Sequence, residues 1–156
     1  MREDLLDQLD ATVHELIVLF QTSADPETAV YDGWSAIDVL GHITFWHESF
    51  ARNVEDMATG DKPTPLRGRF SDLNQRSINE MRECSLETII NRLDVAQQVI
   101  RNHILDAKIS SIPYRKGSRD YTPEEHLDIV NKHIIGHLRA IKSSGEVSLK
   151  DPPQIR

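Results

Sequence analysis

Seven histidines in 156 residues are the side chains best placed to do chemistry, because neutral imidazole binds divalent metals and carries protons near pH 7. His133 and His137 stand four residues apart, about one helical turn, so both rings can reach a single ion. At about 100° per residue, His126 falls on the same narrow arc. Leu127, Val130, Ile134, Leu138 and Ile141 flank this row on one side, Ile129 and Ala140 on the other, so the row is expected to face inward. An isolated H-x-x-x-H is more often two satisfied polar groups than a metal site. Ile134 stands where H-E-x-x-H would put its glutamate, which excludes that zinc-peptidase mechanism. A third ligand must come from another element. His42, one turn before Trp46, and His47, near Ile43 and Phe50, both fall on one apolar stripe, and periodicity does not choose between them.

The elements that must hold these residues read as helices. Leu5, Leu6, Leu9, Val13, Leu16, Ile17 and Phe20 recur at spacings of three and four, which predicts a helix over 3–22. Pro26 and Gly33 break it. Ser35 with Asp38 resembles a capping box and opens a second helix over 36–57. A third helical region spans 71–106 and restarts at Ser85, whose hydroxyl can cap the following segment. Residues 107–121 form a long connection, with room for a brief extended piece. Thr122, Pro123, Glu124 and Glu125 make a helix start: an N-cap, proline in the first turn, and carboxylates on the positive dipole end. This last helix should end near Lys142. No strand pattern with turn chemistry is read, and no repeat. The expected fold is all-α, a four-helix bundle with long crossover connections, over residues 1–145 as one domain, with 146–156 as a loose tail.

Composition narrows the class. Hydrophobic residues make up 38% and charged residues 28%, as in ordinary globular domains. Cys84 is the only cysteine, so no intrachain disulfide or cysteine metal cluster can form. It lies between Glu83 and Ser85, where local charge does little to favour a thiolate, and a structural role is expected. The N-terminus has no unbroken apolar run and no segment suits a membrane span, so a cytoplasmic protein is expected. A net charge of −7 disfavours nucleic acid. Phe70, Ile112 and Tyr114 read as surplus exposed apolar residues, which suggests a homodimer.

The run from Gly33 to Ile43, with Trp34-Ser35, an aliphatic stretch and then His42, resembles the DinB/YfiT superfamily. Tyr121-Thr122-Pro123-Glu124-Glu125 leading to His133 and His137 is similar to that family's last helix. Ser71-Asp72-Leu73-Asn74 resembles the subgroup near maleylpyruvate isomerase N-terminal domains and colibactin-resistance-type proteins. The likeness spans about residues 3–142 and implies a DinB-like bundle with a divalent metal, zinc or nickel, on His42, His133 and His137. His47 is then a supporting or packing residue, and His126 a candidate catalytic proton carrier. Asp38, one turn before His42, is a candidate partner for a ligand ring, with a role at the helix start as its equal alternative. Glu48 and Tyr121 are further acid–base candidates.

Three neutral imidazoles leave coordination positions open, the arrangement of catalytic rather than closed structural sites. The resemblance implies activation of a low-molecular-weight thiol, or of water, against a small-molecule substrate: a thiol transferase or detoxifying hydrolase. The alternative is a non-catalytic, stress-related protein that binds metal or a small ligand.

Overall fold

The computed structural model describes residues 1–144, and the tail expected at 146–156 lies outside them. Its long helices are α1 (Arg2–Thr22), α2 (Ala36–Thr59), α4 (Leu86–His103) and α5 (Pro123–Ser143), with a shorter α3 (Phe70–Met81) between α2 and α4. The apolar stripe of α1 is buried as its spacing predicts, from Leu6 through Phe20. The starts of α2, α4 and α5 form where the sequence marks them. Ser35 and Asp38 make a complete capping box, as do Thr122 and Glu125, and the Ser85 hydroxyl accepts from the Thr88 N–H. Each such cap satisfies donors that helix geometry leaves unpaired.

α2 packs mainly on α4 and α3, while α1 packs on α5 and, less extensively, on α4. Gly41 lets α3 come close to α2. A β-carbon there would stand 2.7 Å from Cβ of Met81, too near to be accommodated without a shift. The connections over 60–69 and 104–122 run long, as a bundle with crossovers requires. They are tied together by short bridges, Leu66 to Arg115 and Ile112 to Tyr121.

Two expectations are corrected. The segment after α1 contains a hairpin, β1 (Ala29–Tyr31) against β2 (Trp34–Ser35), where no strand was read. Asp32-Gly33 is its two-residue turn, and Gly33 takes a left-handed φ of +78°, which glycine tolerates without steric cost. Ile112 and Tyr114 are buried, and Phe70 packs against the core, so none is a surplus exposed residue and the case they made for a dimer falls away. The irregular chain over 107–121 wraps back onto the bundle, and periodicity carries no burial signal in such a segment. Among the described residues no helix is long and apolar enough to cross a membrane.

Candidate metal centre

Two helices far apart in the chain meet at one point. α2 supplies His42 and α5 supplies His133 and His137, and one nitrogen from each ring lies within 4.8 Å of the others. Nε2 of His137 stands 2.9 Å from Nε2 of His133. The ring centroid of His42 lies 5.2 Å from that of His137 and 5.8 Å from that of His133. His42 and His137 are buried, and His133 is partly buried.

Hydroxyl groups hold the outer nitrogens. Ser77 on α3 donates to the Asn74 carbonyl at 2.6 Å, so its oxygen is left to accept the proton on Nδ1 of His42, at 3.4 Å. That assignment leaves the lone pair of His42 on Nε2, and Nε2 is buried with no hydrogen-bond partner. An unpaired buried acceptor is costly, and a divalent cation at the shared point would satisfy it. Nδ1 of His137 meets the Tyr31 hydroxyl at 2.8 Å. Trp34, across the hairpin from Tyr31, lies 5.0 Å from His42, ring to ring. The donor set and the orphaned nitrogen therefore fit a metal ion of the imidazole-binding kind.

The electrostatics agree with that fit. Burial pushes the pKa of His42 down to about 3, with repulsion from His133 adding to it, and burial pushes His133 down to about 4. His137 falls well below the ordinary imidazole value through burial and then through His133 and His42. All three rings are neutral at pH 7, the form that binds metal. Burial also raises the pKa of the Tyr31 phenol, which keeps its proton.

His133 also borders a cavity of about 20 Å³, lined in part by His47, Phe50, Asn53, Tyr114 and His126. That is room for about one water molecule. His126 is stacked between Phe50 and Tyr114, with centroids 4.1 and 4.9 Å away, and its Nδ1 has no partner. Burial, then repulsion from His47, takes its pKa down to about 3. His47 is turned to α4, where its Nε2 meets Oε1 of Gln97 at 2.6 Å, and Gln97 in turn donates to Asp10. It stands outside the three-histidine group, as a packing role requires.

Other candidates are placed elsewhere. Asp38 does not reach a ligand ring; its carboxylate closes the α2 capping box and pairs with Arg82. Glu48 pairs with Arg92 at 2.6 Å, and Arg92 also donates to Cys84 at 3.6 Å. Tyr121 carries the Arg119 guanidinium over its ring. Sequence reasoning missed Tyr31 and Ser77. The Asp32-Gly33 dipeptide between Val30-Tyr31 and Trp34-Ser35 is a hairpin signal that would have exposed Tyr31.

No curated protein matches this sequence. Among solved structures, the mycothiol-dependent maleylpyruvate isomerase superposes with a TM-score of 0.69 at 13% identity, over 99% of this chain and 65% of that one. A histidine-to-alanine mutant of that enzyme superposes with a TM-score of 0.67, at the same identity and coverage. This chain thus spans about two thirds of the length of those structures, and at such identity the likeness is one of fold. The sequence profile of the DinB superfamily matches residues 8–141, from within α1 almost to the end of α5, and the chain belongs to that superfamily.

Proposed function

We propose that this chain is a cytoplasmic, metal-dependent enzyme that activates a low-molecular-weight thiol, or water, for attack on a small electrophile, with His42, His133 and His137 as the metal ligands. The observation that carries the reading is the convergence of three neutral imidazoles, two buried and one partly buried, with one nitrogen unpaired. The cluster holds no fourth histidine, cysteine or carboxylate among the described residues, which supports open coordination positions and favours an enzyme over a closed binding site. A divalent ion held there, zinc or nickel by ligand type, supplies Lewis acidity that favours the ionised form of a thiol or water at neutral pH.

The protein's own residues supply the rest. The ligand rings carry no charge, and the outer nitrogens of His42 and His137 meet hydroxyls rather than carboxylates. The site therefore leaves the charge of a divalent cation uncompensated and favours an anion such as a thiolate. His126 is the proton carrier in this reading. Burial keeps this ring neutral, so it can take the thiol proton, and negative charge developing nearby raises its basicity. Phe50 and Tyr114 hold that ring in place and limit entry of water. The thiolate sulfur then bonds to the electrophilic carbon as that carbon's π bond or its bond to a leaving group breaks, and the displaced electron pair takes back the proton held by His126.

Thiol consumption tests this directly. Metal-loaded protein should conjugate bacillithiol, mycothiol or glutathione to an electrophile, and chelation should abolish turnover. Tight metal binding with no turnover of any thiol, or of water, would leave the non-catalytic binding reading in its place.

A further inference from the structure

We propose that Tyr31 is a positioning residue for the metal centre: its hydroxyl accepts the proton on Nδ1 of His137 and so lets Nε2 of that ring face the ion. This rests on the three-histidine metal reading.

The two hydroxyl partners differ in what they allow. Ser77 has its proton committed to the Asn74 carbonyl, so it accepts from His42 and fixes that ring with Nε2 free. Tyr31 has no second hydrogen bond among the described residues, so its hydroxyl can give a proton to His137 Nδ1 or take one from it. Without metal, Tyr31 can donate to Nδ1 while the proton on Nε2 bonds to His133 across 2.9 Å. With metal, Nε2 must give up its proton, Nδ1 carries it, and Tyr31 accepts. The hydrogen bond survives both states. Both residues are essentially solvent-free, at 1% and 0% exposure, so water cannot replace the hydroxyl.

Removing the hydroxyl breaks this symmetry. A buried N–H with no acceptor is tolerated less often than a bare acceptor. In Tyr31→Phe, the form of His137 that binds metal leaves its Nδ1–H without an acceptor, so metal binding should weaken. The ring remains to pack edge-on against Trp34 and His137, so the fold is kept. The hairpin thus serves the metal centre from outside the helices, with Gly33 letting the chain turn between Tyr31 and Trp34.

The test uses metal-free protein and zinc or cobalt(II) as the probe. Competition with a chromophoric chelator should show one equivalent bound by the unsubstituted protein and affinity weaker by about 10–100-fold in Tyr31→Phe. In the zinc-loaded protein the nitrogen-15 shifts of His137 should place its proton on Nδ1, the Nδ1 shift should change in Tyr31→Phe, and so should the visible spectrum of the cobalt protein. Unchanged affinity and unchanged His137 shifts in Tyr31→Phe would overturn this inference alone. Failure of the unsubstituted protein to bind any ion would overturn the metal reading and this inference together. A Ser77→Ala control should weaken binding less, since its contact to His42 is longer, at 3.4 Å.

Discussion

Two groups of buried histidines lie side by side in this bundle, and they differ in what their nitrogens face. His42, His133 and His137 aim nitrogens at one point, with hydroxyls on the outer nitrogens of His42 and His137. His47 and His126 are buried as deeply, but one is bonded to Gln97 and the other is stacked between aromatic rings. Burial lowers the pKa of every ring in both groups. Neutral buried imidazole is thus common to both, and convergence alone separates a candidate metal centre from a packed histidine wall.

Acid should act on both groups at once and give the largest effect. In metal-free protein these rings stay neutral when folded, with pKa values near 3 to 4 for His42, His47, His126 and His133, while in the unfolded chain they titrate near 6.5. The unfolded state then binds more protons, so stability is full above about pH 6.5 and falls as pH drops toward the folded values. Each ring contributes up to about 1.4 kcal/mol per pH unit. Denaturant melts between pH 7 and 5, above the range of most carboxylates, should show a steep loss; a flat profile would mean the rings are not buried neutral.

Truncating the stacked group should cost stability and spare the metal. Phe50→Ala opens the wall around His126 and should destabilise the fold by about 3–5 kcal/mol, with one equivalent of ion still bound by the folded protein. Loss of metal with the stack would join the two groups into one site. His42→Ala does the converse. It removes one of three ligands, which should weaken metal binding by more than about 100-fold, and chelator competition reads it. Equal losses from His47→Ala would erase the distinction.

The smallest effect belongs to Asp38. If its work is to cap α2 and pair with Arg82, Asp38→Asn should cost about 1 kcal/mol or less in thermal stability. Metal affinity should not move. A tenfold loss of affinity would return Asp38 to the neighbourhood of the ligand rings.

Local signals explain what could be read in the sequence. His133 and His137 share a helical turn, and Thr122-Pro123 and Ser35-Asp38 mark helix starts within a few residues, so both helices and the inward face of α5 were legible. The choice of His42 over His47 came from the family likeness, because periodicity puts both on one stripe. The partners of the rings were not legible. Tyr31 and His137 are 106 residues apart and Ser77 and His42 are 35 apart, and no local pattern encodes such pairings. The burial of Ile112 and Tyr114 was missed for a similar reason, since it depends on how an irregular connection folds back over α2 and α5.

The central claim is that three side chains from two helices share one ion. Elemental analysis of untagged protein, repeated on His137→Ala, tests it most directly. The account predicts about one equivalent of divalent metal in the first sample and none above background in the second, with both equally folded. Absence of metal after incubation with zinc or nickel, or full retention in His137→Ala, would contradict it.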